Sequence, residues 1–123
     1  VRNTVTVGDG GAISSIGGSI TTIESSVFIR NTANANGGAL FVDGETSVID
    51  SYLLSNRAHD GGGIFYEGGS LDLNSSWLVG NRAARGVGLG TAIYINAADP
   101  MLVIEDTFIS RNGVEIYDVN DGI

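Results

Sequence analysis

Apolar and polar positions alternate in short runs along this chain, and runs of the same type recur four times. Each run has an apolar residue, a Ser or Thr three positions later, a second apolar residue after two more positions, and an Asn after another three. The first apolar positions are Ile23, Val48, Leu73 and Ile104, and the second are Phe28, Leu53, Leu78 and Ile109. Short apolar runs of period two, separated by Gly, Asn, Asp and Ser, are typical of strands joined by tight turns.

The asparagine that closes each run sets the length of the repeat. Asn31, Asn56, Asn81 and Asn112 are separated by 25, 25 and 31 residues. Glycine-rich blocks lie between them and before them: Gly10-Gly11-Ala12-Ile13, Gly37-Gly38-Ala39-Leu40, Gly61-Gly62-Gly63-Ile64 and Gly90-Thr91-Ala92-Ile93. Repeats of roughly 20 to 50 residues are typical of solenoids, and one of this length has room for about three short strands. We therefore predict an all-β parallel β-helix (solenoid) of about four rungs, with partial rungs at both ends.

Two polar columns have structural explanations in such a fold. Rungs lie about 4.8 Å apart, so each residue stacks on its counterpart in the next repeat. We predict that Asn31, Asn56, Asn81 and Asn112 form a ladder, in which each side-chain amide donates to the next rung and satisfies turn backbone. The hydroxyls of Ser26, Ser51, Ser76 and Thr107 are expected to do the same where the coil bends. The glycine blocks are expected at sharp turns, because Gly reaches positive φ without steric cost.

The pairing of an apolar-x-x-Asn element with Gly-Gly-Ala-Ile/Leu resembles the repeats of the chlamydial-type polymorphic outer membrane proteins. Phe28-Ile29-Arg30-Asn31 with Gly37-Gly38-Ala39-Leu40 has the complete pattern, whereas Leu53-Leu54-Ser55-Asn56 and Leu78-Val79-Gly80-Asn81 have Leu in place of the aromatic residue. Gly90-Thr91-Ala92-Ile93 lacks the second glycine. The resemblance covers most of residues 10 to 112. It implies a right-handed parallel β-helix that is displayed on a cell surface and acts in adhesion.

Composition and charge narrow the classes of partner. The chain has 123 residues, no Cys, no Lys and a formal net charge of −8. Without disulfides, the ladders and the apolar stack must hold the fold. An acidic chain is a poor candidate for binding nucleic acid or an anionic membrane, and no stretch approaches the roughly 20 apolar residues of a membrane span. We expect no nucleic-acid partner, no membrane insertion and no cofactor.

The two ends of the sequence hold parts of rungs. Asn3-Thr4-Val5-Thr6-Val7 has the pattern of part of a preceding strand, and Gly113-Val114-Glu115-Ile116-Tyr117-Asp118 is predicted to be a counterpart of Ala92-Ile93-Tyr94-Ile95-Asn96. Uncapped terminal rungs expose unpaired backbone and apolar core. We expect residues 1–123 to form a single β-helix segment, which either belongs to a longer passenger or stacks end to end with other copies in an extracellular fibre.

Two apolar columns are candidates for recognition. With the Ser and second apolar columns facing inward, the residues between them face outward: Val27, Tyr52, Trp77 and Phe108. We predict that Tyr52, Trp77 and Phe108 contact a partner or a glycan, unless a loop covers them or they only stack across rungs. The second column is Phe41, Phe65, Tyr94 and Ile116, beside Leu40, Ile64, Ile93 and Glu115. The charge of Glu115 favours burying the column that ends in Ile116.

A third column is cationic. Arg30, Arg57, Arg82 and Arg111 each adjoin an Asn of the ladder. Like charges at rung spacing repel, so we expect these side chains to fan outward or to meet acids such as Asp60. Binding of an anion or an acidic glycan is an alternative that the overall negative charge opposes.

No constellation of catalytic residues accompanies the repeats. Many parallel β-helices resemble polysaccharide lyases or hydrolases, but here the acids are scattered over predicted turns and the single His, His59, stands beside Asp60 in one of them. Asp118-Val119-Asn120-Asp121-Gly122 faintly resembles a calcium loop but lacks its ligand spacing and its distal Glu, and calcium binding is left as an alternative. Asn74 begins the sole glycosylation sequon and is a possible acceptor on the outward column Glu24, Ile49, Asn74 and Glu105.

These observations predict an extracellular or cell-surface segment with a structural or adhesive role and no enzymatic activity. One alternative is a subunit of a self-stacking fibre. The other is a carbohydrate-active β-helix enzyme or a sugar-binding module. The expected partners are further copies, the rest of a longer chain, or surface glycans.

Overall fold

The computed structural model describes residues 3–5, 8–83, 92–113 and 115–119, and within these ranges all regular structure is β-strand. The strands are short, since the chain turns again after every two to five residues. In chain order they are β1 (Thr4–Val5), β2 (Ile13–Ser15), β3 (Ile20–Glu24), β4 (Val27–Ile29), β5 (Thr32–Ala33), β6 (Leu40–Val42), β7 (Glu45–Ile49), β8 (Tyr52–Leu54), β9 (Arg57–Ala58), β10 (Ile64–Tyr66), β11 (Ser70–Asn74), β12 (Trp77–Val79), β13 (Arg82–Ala83), β14 (Ile93–Ile95), β15 (Met101–Glu105), β16 (Phe108–Ser110) and β17 (Ile116–Asp118).

The strands form four parallel sheets that run along the axis of a β-solenoid of about four turns, which confirms the predicted fold class. Sheet 1 contains β1, β5, β9 and β13, and sheet 2 contains β2, β6, β10, β14 and β17. Sheet 3 contains β3, β7, β11 and β15, and sheet 4 contains β4, β8, β12 and β16. A complete turn thus has four strands rather than three, because a two-residue strand of sheet 1 follows the ladder asparagine.

Identical positions of successive repeats stack on one another, as the 25-residue spacing requires. In sheet 3 Leu73 pairs with Val48 and Ile104, and in sheet 4 Leu78 pairs with Leu53 and Ile109. The inward side chains of sheets 2, 3 and 4 make one apolar core: Ile23, Phe28, Leu40, Val42, Val48, Leu53, Ile64, Tyr66, Leu71, Leu73, Leu78, Ile93 and Ile95. Burial of these side chains is the main driving force that the chain has available for folding, at about 1.5–3 kcal/mol for each large one.

Sheet 2 corrects the predicted choice between its two apolar columns. Its inward column is the one that contains Leu40, Ile64 and Ile93, and these residues are at most 1% exposed. Ile116 continues that column by pairing with Ile93, while Tyr94 pairs with Tyr117. The prediction was wrong by one residue because the last strand begins only four positions after Asn112, whereas the third glycine block places Ile64 eight positions after Asn56.

Glu115, whose charge had favoured the wrong column, does not belong to either. It precedes β17, and its Oε2 accepts a hydrogen bond of 2.6 Å from the Asn112 Nδ2. None of the described residues lies in a helix with the length and hydrophobicity that a membrane crossing requires.

Candidate functional site

The four asparagines form a continuous hydrogen-bonded ladder at the corner between sheets 4 and 1. The Oδ1 of Asn56 accepts from both the main-chain N and the Nδ2 of Asn31, each at 2.9 Å. Asn56 is bound to Asn81 in the same way, and Asn81 to Asn112, over distances of 2.8–3.0 Å. The Nδ2 groups of Asn56, Asn81 and Asn112 also donate to main-chain carbonyls of sheet 4, those of Phe28, Leu53 and Leu78, at 2.8–3.0 Å. All four side chains are buried, so these bonds satisfy polar atoms that no water reaches.

The ladder extends one rung further than the sequence analysis recognised. The main-chain N of Asn3 donates to the Asn31 Oδ1 at 2.6 Å, and the Asn3 carbonyl accepts from the Thr32 N at 2.9 Å. Asn3 therefore occupies the position before Asn31. The shared signal is an Asn-Thr-apolar sequence, Asn3-Thr4-Val5 and Asn31-Thr32-Ala33, which lacks the preceding strand pattern that identified the other copies.

A second ladder lies at the corner between sheets 3 and 4. The Oγ of Ser51 accepts from the Ser26 N at 3.1 Å, and the Ser76 Oγ accepts from the Ser51 N at 3.1 Å. Each hydroxyl donates in turn to the carbonyl two residues earlier, at 2.7–2.9 Å along the column Ser26, Ser51, Ser76 and Thr107. Both corners thus have their main-chain groups satisfied by side chains, and they are rigid supports for whatever the outward positions present.

The residue before each ladder position has a positive φ, which the sequence analysis did not anticipate. The angles lie between 46° and 50° for Ser25, Asp50, Ser75 and Asp106, and between 54° and 67° for Arg30, Ser55, Gly80 and Arg111. Glycine reaches this region freely, and Gly37 and Gly61 do so in the glycine blocks, as predicted. At the two corners, however, residue types vary from rung to rung, so composition gives no signal there.

An exposed aromatic stripe runs along the outward face of sheet 4. Its members Tyr52, Trp77 and Phe108 are paired in register and are 39%, 37% and 54% exposed. The rings of Tyr52 and Trp77 stack with centroids 4.8 Å apart and an angle of 8° between their planes. Val27 begins the same column and is 46% exposed. Cross-rung stacking and exposure are therefore combined, and the stripe has a solvent-facing side.

A second aromatic stack lies on the outward face of sheet 2. Phe41, Phe65, Tyr94 and Tyr117 follow one another with ring centroids 5.0–5.7 Å apart. Phe65 is only 6% exposed, so this stack is more enclosed than the stripe on sheet 4. Burial raises the pKa of Tyr94. Electrostatic interactions raise it further, those with Asp60, Tyr117 and Glu67. The Tyr94 phenol is accordingly neutral at physiological pH.

The four arginines of the predicted cationic column line one cleft beside the asparagine ladder. The cleft has a volume of about 420 Å³, and its other lining residues are Ser55, Asn56 and Gly80. No ion pair joins Asp60 to these arginines among the described residues; the Asp60 Oδ2 instead lies 2.8 Å from the His59 Nδ1, within hydrogen-bond distance. The arginines thus fan outward, which was one of the two predicted outcomes.

The remaining candidate positions concern metal binding and glycosylation. Among the described residues, no group of three His, Asp or Glu side chains is placed to hold a metal ion. Residues 120–122 of the calcium-like segment lie outside the described ranges. Asn74 lies at the end of β11 in the predicted outward column, where its Nδ2 is 3.3 Å from the Glu105 Oε2. The hydroxyl of its sequon, on Ser76, is buried and belongs to the serine ladder.

One stretch of the chain matches a known family of repeats. Residues 25–43 match the model of the Chlamydia polymorphic membrane protein repeat. This stretch contains both Phe28-Ile29-Arg30-Asn31 and Gly37-Gly38-Ala39-Leu40, so it confirms the resemblance at the copy in which the two motifs are complete. No curated protein and no solved structure gives a significant match to the chain. The repeat match and the solenoid together indicate a β-helix protein of the surface or outer-membrane kind.

Proposed function

We propose that this chain is an extracellular β-helix segment that adheres through the aromatic stripe of sheet 4 and performs no catalysis. The observation that carries the proposal is the alignment of Tyr52, Trp77 and Phe108 on three successive rungs, each more than one third exposed. Exposed aromatic faces of this kind are costly in water unless a partner covers them, and they suit the apolar faces of sugar rings.

The scaffold beneath the stripe supports the same role. Leu53 and Leu78 point inward from the same strands and are completely buried, so the outward rings cannot turn into the core. The two ladders fix the corners on either side of sheet 4, between Ser51 and Asn56 in the second turn. A ligand would meet a preorganised surface, on which little conformational entropy is lost when it binds.

Binding of the purified protein to a glycan array and to cultured cells tests the proposal. We expect Trp77→Ala and Tyr52→Ala each to weaken binding about tenfold or more, because each removes a large apolar contact worth roughly 1.5–3 kcal/mol when covered. The matched control is Ile20→Ala, which removes an apolar side chain that is 78% exposed on the outward face of sheet 3. Both aromatic variants should retain the urea midpoint of the parent to within a small shift. Unchanged binding by folded Trp77→Ala and Tyr52→Ala proteins would reject the stripe as the adhesive surface.

The absence of catalysis is tested separately. Incubation with a panel of neutral and acidic polysaccharides, with and without added calcium, should release neither unsaturated products nor new reducing ends. Release of either product by the parent protein would contradict the non-catalytic proposal and favour a carbohydrate-active enzyme instead.

A further inference from the structure

The cleft beside the asparagine ladder, the arginine cleft, has a lining that differs in charge from the other described residues. The chain contains 14 acidic and six basic residues, yet Arg30, Arg57, Arg82 and Arg111 all line this one cleft. They are the only Arg or Lys residues in the described ranges, and no Asp or Glu is among the residues that line the cleft. Positive charge is therefore concentrated at one corner of an acidic molecule. Such a concentration creates a local field that attracts anions despite the net charge of −8.

The backbone supplies one arginine for each of four successive turns. In the first and last of these turns, the arginine is the positive-φ residue before the ladder asparagine: Arg30 and Arg111. In the two middle turns, Ser55 and Gly80 occupy that position. In those two middle turns the arginine is instead the first residue of the sheet 1 strand, and Arg57 and Arg82 are register partners. Because Ser55 and Gly80 are small, they leave room for the cleft, and the four arginines line it.

The spacing of these charges follows from the solenoid. Adjacent rungs are about 4.8 Å apart, so four rungs span roughly 14 Å parallel to the axis. The Cα atoms cannot move apart to relieve repulsion, because each turn is fixed by the asparagine ladder directly beneath. A row of unneutralised arginines lowers the stability of the fold, and a linear anion would remove that cost when it binds.

We propose that this cleft binds a linear anionic glycan, laid along the solenoid axis with carboxylate or sulfate groups against successive arginines. The guanidinium group fits both kinds of anion, because its planar N–H donors pair bidentately with two oxygens. A glycan is favoured over nucleic acid because the molecule has a sequence pI of about 4.2 and only four arginines at the site, whereas nucleic-acid-binding domains carry extended basic faces. The site is distinct from the aromatic stripe and does not depend on it.

The test compares Arg57→Thr/Arg82→Thr with the parent protein in binding heparin, polygalacturonate, neutral dextran and a single-stranded DNA oligonucleotide. Threonine is the residue that the chain itself places at this position in the preceding turn, where Thr32 is the register partner of Arg57. We expect the parent to bind at least one of the two acidic glycans, with an affinity that falls as salt rises, and not to bind dextran. The double variant should bind about 100-fold more weakly, at about tenfold for each charge-assisted contact. Tighter binding of the oligonucleotide than of either glycan would overturn the proposal.

Two controls separate the cleft from overall charge and from the stripe. Arg57→Thr and Thr22→Asp change the net charge by the same single unit, but Thr22 is exposed on the outward face of sheet 3. Equal losses from these two single variants would show a general charge effect and would contradict a local site. Ile20→Ala, on the outward face of sheet 3 and outside both the stripe and the cleft, should leave the affinity for the acidic glycan within about twofold. Trp77→Ala reports on the stripe and Arg57→Thr/Arg82→Thr on the cleft, so failure of the stripe and failure of the cleft give different results. Loss of heparin and polygalacturonate binding by Trp77→Ala, with no loss in Arg57→Thr/Arg82→Thr, would assign glycan binding to the stripe alone.

Discussion

Each turn of the solenoid has one arc of constant length and one of variable length. From the first residue of the sheet 3 strand to the first residue of the sheet 4 strand the chain always advances seven positions, and from there to the ladder asparagine always four. From the asparagine to the next sheet 2 strand the advance is 9, 8, 12 and 4 positions, starting at Asn31, Asn56, Asn81 and Asn112. From sheet 2 to sheet 3 it is 7, 5, 6 and 8 positions.

The difference follows from what stabilises each corner. The two corners within the constant arc, between sheets 3 and 4 and after sheet 4, are fixed by buried side chains such as Ser51 and Asn56, whose partners lie at the same position of the next turn. An extra residue would displace these groups from their partners and leave buried polar atoms unsatisfied. The variable arc is turned largely by backbone bonds, for example from the Gly38 N to the Gly61 carbonyl, and its loops can lengthen into solvent. Side-chain ladders therefore fix the length of a turn, whereas backbone turns tolerate insertions.

Insertion of two residues tests this contrast and should have the largest effect. A Gly-Ser pair inserted between Asp50 and Ser51 shifts the serine ladder and the inward face of β8, and we expect a loss of more than about 4 kcal/mol of unfolding free energy, or failure to fold. The same pair inserted between Ala98 and Asp99, in a loop that is already long, should cost no more than about 0.6 kcal/mol. Urea unfolding followed by far-ultraviolet circular dichroism measures both. Similar losses from the two insertions would remove the distinction between the arcs.

The accuracy of inference from the sequence differs between the arcs for the same reason. In the constant arc, fixed spacing made the inward and outward faces of sheet 4 readable, with Phe28 inward and Trp77 outward. In the variable arc the changing length misplaced Ile116 by one position. A two-residue strand such as Arg57–Ala58 has no period to recognise, and it was missed. The arginine column was recognisable in the sequence. Contact between these arginines and Asp60 could not be predicted, because it depends on side-chain positions that sequence spacing does not determine.

Substitution at the centre of the ladder should have the next largest effect. Asn56→Ala removes the acceptor of the Asn31 N and Nδ2 and the donor to the Asn81 Oδ1 and the Phe28 carbonyl, all in the buried corner. We expect a loss of roughly 3–5 kcal/mol in unfolding free energy, because several buried groups are left without partners.

The matched control for the ladder lies in the variable arc. Asn96 is exposed, and its Nδ2 donates to the Glu67 Oε2 at 2.9 Å, so Asn96→Ala should cost less than about 0.5 kcal/mol. Urea midpoints of the two variants, measured at the same protein concentration, give the comparison. An Asn56→Ala protein as stable as Asn96→Ala would show that backbone pairing alone fixes the corner.

The smallest predicted effect concerns Tyr66, whose side chain makes hydrogen bonds that stabilise the variable arc. Its ring is buried in the core, while its hydroxyl donates to the Gly69 carbonyl at 2.9 Å and accepts from the Met101 N at 2.8 Å. The bonds join the loop after β10 to the start of β15 in the next turn. Tyr66→Phe should therefore cost about 1–2 kcal/mol of unfolding free energy near neutral pH.

The pH dependence of stability distinguishes the contribution of the Tyr66 hydroxyl from that of ring packing alone. Burial raises the pKa of Tyr66 above its ordinary value of 10.0; the Met101 N–H lowers it in part, and the charge of Asp99 raises it. Because the folded pKa is higher than the unfolded one, the contribution of the neutral phenol is complete below a pH of about 10 and declines as pH rises through the folded pKa. Tyr66→Phe should lose less stability than the parent between neutral and strongly alkaline pH. Some alkaline loss should remain in Tyr66→Phe, because it still contains Tyr94, whose pKa is also raised. Parallel alkaline profiles for the two proteins would mean that the Tyr66 hydroxyl ionises as freely in the fold as in the unfolded chain, and the variable arc would then depend on its backbone turns alone.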